Sequence, residues 1–137
     1  MTKRENLFLW FPVVVWFGLI SYLSSIPGNV ISSKPSLVPS FIPLDDYLFW
    51  GHRLAHVVEY GTYGILVLRA CSLRKTKPIH LVTILVLSVF VFLSGCLDEW
   101  HQSFVPGRTP ELIDALFDTI CGSLAMILYK RCNFLPA

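Results

Sequence analysis

Charge is scarce in this sequence, and it is unevenly distributed. Asp, Glu, Lys and Arg together make up only 15% of the 137 residues, and none of them occurs between Asn6 and Ser33. Hydrophobic residues make up 54%, which is more than the interior of so small a soluble domain can bury. The composition therefore argues against a soluble protein and predicts an integral membrane protein.

Motifs that mark several kinds of soluble enzyme are also missing. No G-x-S-x-G, P-loop or H-E-x-x-H is present, although a serine nucleophile stays open through Ser94 or Ser103. The four cysteines stand singly, without C-x-x-C spacing, and we expect them to be small buried hydrophobic residues. The one short basic run, residues 74–77, indicates a loop beside a membrane rather than a nucleic-acid partner.

Four apolar segments are long enough to cross about 30 Å of hydrocarbon, which takes about 20 helical residues. They cover approximately residues 7–25, 51–71, 79–97 and 111–130. A signal peptide is the alternative for the first of them, but that segment is long and rich in aromatic residues for a cleaved leader. We predict a single all-α domain over residues 1–137, an integral membrane four-helix bundle.

Two further segments carry structural expectations. Residues 26–50 contain four prolines, which divide the stretch into pieces too short to span a membrane, so we predict a surface loop there. The fourth apolar segment contains a cluster of small residues that would let neighbouring helices approach closely: Cys121, Gly122, Ser123 and Ala125.

The distribution of positive charge predicts the orientation. Of the 11 Lys and Arg residues, eight fall on one side of the four segments and three on the other. The side richer in Lys and Arg faces the cytoplasm, so both termini should be cytoplasmic. Every acidic residue except Glu5 then belongs to the outer half of the protein.

Polar residues cluster at the predicted outer ends of three segments. The second segment carries one helical stripe, made of His52, His56, Glu59 and Tyr63. The fourth carries another, and the third ends in the polar run at residues 98–102. Ionisable groups cost about 2.5–3.5 kcal/mol each at the centre of a membrane helix, so they need a structural or functional reason. We expect one outward-facing cavity lined by His56, Glu59, Glu99, His101, Gln102, Arg108, Asp114 and Asp118.

These residues leave four interpretations open. Arg53 and Arg108 could pair with Asp114 and Glu99 and only hold the bundle together. The histidines and partly buried carboxylates also suit proton transfer to a substrate. They could ligate a divalent ion, but no recognised ligand spacing is present, and we predict no metal and no cofactor. Finally, Arg108 lies just before the fourth helix, where a phosphate or carboxylate would be favoured.

Three motifs, in order along the chain, resemble those of the VanZ-like family of small bacterial membrane proteins. They are H-x-x-E-Y at residues 56–60, D-E-W-H-Q-S-F-V-P-G-R at 98–108 and D-x-x-x-D at 114–118. The resemblance implies a multi-spanning domain related to the cell envelope, in a family named for an association with teicoplanin resistance. Its polar motif residues correspond to His56, Tyr60, Glu99, Gln102, Arg108 and Asp114. The sequence departs from the family at His52-Arg53, where Asp-Lys is frequent, and at Asp118, where Asn is frequent.

The residues and the resemblance together predict a protein of the bacterial cytoplasmic membrane with its motif residues on the extracytoplasmic side. We expect it to act on or bind a membrane lipid or lipid-linked envelope substrate, such as an amphiphilic glycan or glycopeptide, with His56 and Glu99 as the catalytic acid–base pair. The predicted substrate-binding residues are Glu59, Tyr60, His101, Gln102, Arg108, Asp114 and Asp118. The alternative is a non-enzymatic membrane module: a lipid-binding groove, a proton or cation relay, or a structural partner of an envelope complex.

Overall fold

The computed structural model describes residues 3–31, 43–72 and 80–134. Within these ranges all regular secondary structure is α-helical. The helices are α1 (Lys3–Ser24), α2 (Gly28–Ile31), α3 (Leu44–Ser72), α4 (Leu81–Gln102) and α5 (Leu112–Phe134). Since α2 is a single turn, the prediction of an all-α fold with four long helices is confirmed.

The helix α3 begins earlier than predicted, because Pro43 starts a helix instead of breaking one. The Pro43 carbonyl accepts a 3.0 Å hydrogen bond from the amide of Tyr47, which closes the first turn. Pro43 directly precedes α3, where a backbone amide has no partner within the helix, so proline loses no hydrogen bond there. The prediction of a loop over residues 26–50 is therefore wrong for α2 and for the first turns of α3, and residues 32–42 lie outside the described part of the chain.

The four long helices alternate in direction along the chain. The helices α1 and α4 finish at the end of the bundle where α3 and α5 start, as the contacts Ser24–Asp98 and His56–Asp118 require. The helix α3 packs against α1, α4 and α5, and α4 also packs against α1 and α5. We call this end, formed by residues 23–28, 47–60 and 98–118, the polar end of the bundle.

The helix α4 buries most of its polar residues and presents an apolar outer face. Its buried positions include Ser94, Asp98, Glu99 and Gln102. Its outward-facing residues are apolar and 41% to 68% exposed: Leu81, Val82, Leu85, Val86, Val89, Phe90, Leu93 and Leu97. Water penalises so large an apolar surface, whereas hydrocarbon does not. This distribution fits a helix surrounded by lipid.

Two of the described helices are long and apolar enough to cross a membrane, judged by length and composition. They are Leu81–Gln102 and Leu112–Cys132, and the described apolar part of α1, Phe8–Ser24, is shorter. At ~1.5 Å per residue α4 measures about 33 Å, which matches the thickness of the hydrocarbon core. Length and surface together indicate membrane helices.

The helix α1 is packed into the bundle. Val13 and Ile20 are buried, and the indole N–H of Trp16 donates a 2.8 Å hydrogen bond to the carbonyl oxygen of Glu59 in α3. These contacts fit the prediction that the first apolar segment is a helix of the domain.

The helices α3 and α5 approach each other closely at two glycines. A Cβ atom on Gly64 would lie 2.5 Å from the carbonyl oxygen of Gly122. A Cβ on Gly122 would lie 3.2 Å from the carbonyl oxygen of Tyr60. The prediction that the small residues around Gly122 allow a close helix approach is confirmed, and Gly64 supplies the facing surface. This contact sets the spacing of the two helices that carry most of the polar end.

Candidate functional site

Two sets of side chains connect α3 to α5 at the polar end. His56 Nδ1 and Asp118 Oδ1 are 2.6 Å apart, and the two side chains are only 6% and 1% exposed. One turn earlier, Arg53 donates from Nη1 to Asp114 Oδ1 at 2.7 Å, and His52 Nε2 lies 3.5 Å from Asp114 Oδ2. Both histidine–aspartate pairs are separated by 62 residues, as expected for two parallel helices in register.

The buried pair fixes the tautomer and the orientation of His56. A carboxylate only accepts hydrogen bonds, so the Nδ1 nitrogen carries the hydrogen and donates it to Asp118. The ring of Tyr60 stacks on the imidazole with an interplanar angle of 9° and limits its rotation from another side. The second ring nitrogen, Nε2, is then the acceptor of the neutral imidazole.

A third cluster joins α1 to α4. Ser24 donates from Oγ to Asp98 Oδ2 at 2.7 Å, and Gln102 donates from Nε2 to the same oxygen at 2.9 Å. All three residues are buried. Because Ser24 is the last residue of α1, these bonds tie the end of α1 to the last turn of α4.

Replacing Ser24 by Ala should lower the free energy of unfolding by about 1–2 kcal/mol, because a buried acceptor loses one of its donors. Ser25→Ala is the matched control, since the Ser25 hydroxyl is exposed and donates to the Ser21 carbonyl in the last turn of α1. We expect a lower thermal midpoint in detergent for the first variant and no change for the second. Equal losses in both variants would contradict a structural role for the bond from Ser24 to Asp98.

The link between α4 and α5 is shaped by Glu99 and by a glycine turn. Glu99 Oε2 accepts a 2.7 Å hydrogen bond from the amide of Glu111, which satisfies a donor at the start of α5. Gly107 has a φ of 76°, a conformation that glycine adopts without strain. The next residue, Arg108, donates from Nε to the carbonyl oxygen of Ile26 at 3.2 Å. The turn therefore holds an arginine against the segment that follows α1.

A cavity of about 340 Å³ lies between these clusters. Its polar lining consists of Ser24, His52, His56, Glu59, Gln102 and Arg108. Its other lining residues are Leu23, Ile26, Tyr47, Leu48, Gly51 and Ala55. A neighbouring cavity of about 310 Å³ shares Leu48, His52, Gln102 and Arg108 with the first and extends to Arg53 and Asp114. The polar end therefore has room for a ligand beside its paired side chains.

A known protein family matches almost the whole of the described chain. The family model described as VanZ/LLP1 matches residues 9–134, from α1 to the end of α5. The chain belongs to the VanZ/LLP1 family. The resemblance seen in the motifs is thereby confirmed, and a membrane family agrees with the apolar outer face of α4. No curated protein and no solved structure matches the chain.

In this VanZ-family chain, the predicted site residues fall into two groups. The first group lines the cavities: His56, Glu59, Gln102, Arg108 and Asp114. The second lies at the polar end without lining either cavity: Tyr60, Glu99, His101 and Asp118. Of these, Tyr60, Glu99 and Asp118 are buried, and His101 is partly buried.

The hydrogen-bond and ion-pair partners of these residues differ from those that the sequence suggested. Asp118, and not Glu99, is the acid that contacts His56. Asp114, predicted to bind substrate, contacts Arg53 and His52. Of the two structural ion pairs considered, Arg53–Asp114 is present. Arg108 instead donates to a backbone carbonyl, and Glu99 accepts from a backbone amide.

Ser24 and His52 line the larger cavity but were not among the site residues predicted from the sequence. His52 carried a signal, because it shares the helical stripe of His56 one turn away. Ser24 carried none, since it ends an apolar helix and reaches Asp98 only through the packing of α1 on α4. One residue trio among those described could hold a metal ion, since His52, His56 and Asp114 each offer a ligand atom within 4.8 Å of the others.

Proposed function

We propose that this VanZ-family protein binds and acts on the head group of an amphiphilic cell-envelope component, such as a lipid-linked glycan or glycopeptide. The site is the larger cavity at the polar end. Its place is the extracytoplasmic side of the bacterial cytoplasmic membrane, in keeping with the bias of positive charge towards the other side. The observation that carries the proposal is that His56, held by the buried Asp118, lines this cavity.

The two walls of the cavity suit an amphiphile. One wall is apolar and includes Leu23, Ile26 and Leu48. The other wall offers hydrogen bonds through the polar lining residues, among them His56 and Glu59. A volume of about 340 Å³ is at the small end of ligand pockets, which span about 300–1,000 Å³. The cavity therefore fits a head group or one sugar, with the acyl or prenyl part lying against the apolar outer face of the bundle.

The chemistry that these side chains support is general base catalysis by His56. Its Nδ1–H is held by Asp118, so Nε2 is the nitrogen that accepts a proton. The proton comes from a hydroxyl of the bound head group or from a water molecule beside it. Arg108 lines both cavities and suits an anionic group such as a phosphate or carboxylate. Glu99 acts indirectly in this scheme, because it fixes the start of α5 through the amide of Glu111.

The test compares the lipids and glycans of a strain that lacks the protein with those of the wild type by mass spectrometry. We expect one envelope species to accumulate in the deletion strain and to return to its normal level when the wild-type gene is restored. His56→Gln should not restore it, whereas His80→Ala should, because His80 is exposed at the opposite end of α4. Susceptibility to teicoplanin, which the family resemblance suggests as a phenotype, is measured in the same strains.

Membrane levels of both variants must match the wild type for the comparison to hold. Full restoration by His56→Gln at normal levels would contradict the catalytic role of His56.

A lipid-binding module without chemistry is the second candidate. The observation that favours it is that Asp98, Glu99 and Gln102 already bond to other parts of the chain, which leaves few polar groups free to react. In that case Arg108→Ala should fail to restore the envelope, because the anionic head group loses its partner, while His56→Gln restores it. The two variants therefore separate binding from catalysis.

A further inference from the structure

The polar end contains the parts of a metal centre. His52, His56 and Asp114 each offer one ligand atom, and these atoms all lie within 4.8 Å of one another. We propose that the three residues bind one divalent transition-metal ion of the zinc type. The proposal does not rest on the proposed function, although both involve Nε2 of His56: this nitrogen is a ligand when the ion is bound, and it is a base only in the ion-free protein.

The ligand set is appropriate for such an ion. Two histidines four residues apart on α3 project from the same face of the helix, and Asp114 comes from the parallel helix opposite. Imidazole nitrogen and carboxylate oxygen together suit zinc and its neighbours in the first transition row, whereas calcium and magnesium prefer oxygen alone.

One distance in the cluster favours an ion over a direct hydrogen bond. His52 Nε2 lies 3.5 Å from Asp114 Oδ2, which is long for a hydrogen bond between these atoms. Two ligands that each lie about 2.0–2.1 Å from a tetrahedral zinc ion are separated by roughly 3.3 Å. The two atoms are therefore spaced like neighbouring ligands of one ion, and the ligand atom of His56 lies within 4.8 Å of both.

Asp118 supplies an independent observation, because it occupies the place of an outer-shell carboxylate. Histidines that bind metals usually donate their other ring N–H to a carboxylate or carbonyl, which fixes the tautomer and strengthens the ligand. His56 Nδ1 lies 2.6 Å from Asp118 Oδ1, and Asp118 is 1% exposed. Its second oxygen, Oδ2, is buried without a hydrogen-bond partner among the described residues. Nε2 is thus the nitrogen that His56 has left for an ion.

Arg53 is the neighbouring positive charge that the ion must tolerate. It bonds to Asp114 Oδ1, whereas His52 approaches the other oxygen, so one carboxylate oxygen remains for the metal. The guanidinium carbon lies 5.1 Å from the centre of the Phe117 ring and 5.8 Å from that of Phe49, and these rings hold it in place. The carboxylates of Asp114 and Asp118 together supply negative charge for the Arg53 guanidinium and for the ion.

Three protein residues would fill three of the four positions of a tetrahedral ion, and both histidines line the larger cavity, which leaves room beside them for a further ligand. A structural zinc site fills all four positions with protein ligands, while a site with three protein ligands keeps one for water or substrate. The geometry therefore points to a site that exchanges its fourth ligand.

The test is a titration of the purified, untagged full-length protein in detergent, after treatment with a chelator. Zinc binding is measured by calorimetry, and Co²⁺ is used as a probe because four-coordinate Co²⁺ absorbs strongly in the visible range. We expect one ion per chain and the absorption bands of four-coordinate cobalt. His52→Ala and Asp114→Asn should weaken binding at least tenfold and lose these bands. Asp114→Asn keeps an oxygen for Arg53, so it removes the ligand charge with little effect on packing.

His80→Ala is the matched control and should bind as the wild type does, because His80 lies exposed at the far end of α4. The metal-free His52→Ala variant should also have the thermal midpoint of the metal-free wild type, because His52 makes only a 3.5 Å contact with Asp114. No binding by the wild type, or unchanged affinity in His52→Ala, would overturn the metal site. The envelope test of His56→Gln would still stand, since a histidine base needs no ion.

Discussion

Gly64→Leu is expected to prevent the bundle from forming. Even a Cβ atom at this position would lie 2.5 Å from the carbonyl oxygen of Gly122, and the contact is with backbone, which cannot rotate away as a side chain can. Overpacking of a well-packed core costs about 1–3 kcal/mol when side chains can yield. Here α3 and α5 would have to separate along their whole contact, so we expect a larger loss and no folded protein after extraction.

The measurement is the yield of monodisperse protein in detergent, together with its thermal midpoint. Gly61→Ala is the matched control three residues away, because a Cβ there meets only the Ala125 side chain at 3.8 Å, an ordinary contact. Alanine also favours helix over glycine by about 1 kcal/mol, so the control should be neutral or more stable. A Gly64→Leu protein with the yield and midpoint of the wild type would show that the helix contact is not needed.

The sequence predicted the long helices from the lengths of their apolar runs, and two of them, α4 and α5, are long and apolar enough to cross a membrane. It failed at the start of α3, where Pro43 was interpreted as a breaker. The same residue type ends a helix or begins one, depending on whether its missing N–H was needed, and that depends on what precedes it. Composition alone could not decide between these two uses of proline in the stretch before α3.

The residues of the polar end were predictable, but their pairing was not. Helical spacing shows that His56 lies on the polar face of α3 and that Asp118 lies on the polar face of α5. It does not show how far each helix is rotated or shifted against the other. That shift follows from the close approach of Gly64 and Gly122, and with it Asp118 rather than Glu99 meets His56.

Burial explains why the polar end needs so many internal bonds. Each buried donor or acceptor without a partner costs about 1–3 kcal/mol, and in hydrocarbon no water is available to replace the partner. Asp98 receives two donors from two helices, and Glu99 receives a backbone amide. The acids of α4 are thus used mainly to assemble the bundle, which leaves His56 and Arg108 as the groups best placed to meet a ligand.

Asp118→Ala is expected to lower the free energy of unfolding by about 2–4 kcal/mol. The His56 Nδ1–H would lose its acceptor while staying buried, at about 1–3 kcal/mol, and the truncated side chain would leave a void that adds to this. The loss should appear as a lower thermal midpoint in detergent, measured without added metal. It should also abolish restoration of the deletion strain, because the imidazole is no longer held in one tautomer and orientation.

Asp118→Asn separates the two effects of that substitution. The amide oxygen of Asn still accepts the hydrogen bond from His56 Nδ1, so the midpoint should fall much less than with Ala. A variant series in which Ala and Asn are equally stable, and both match the wild type, would mean that Asp118 does not hold His56 and that the histidine is oriented by Tyr60 alone.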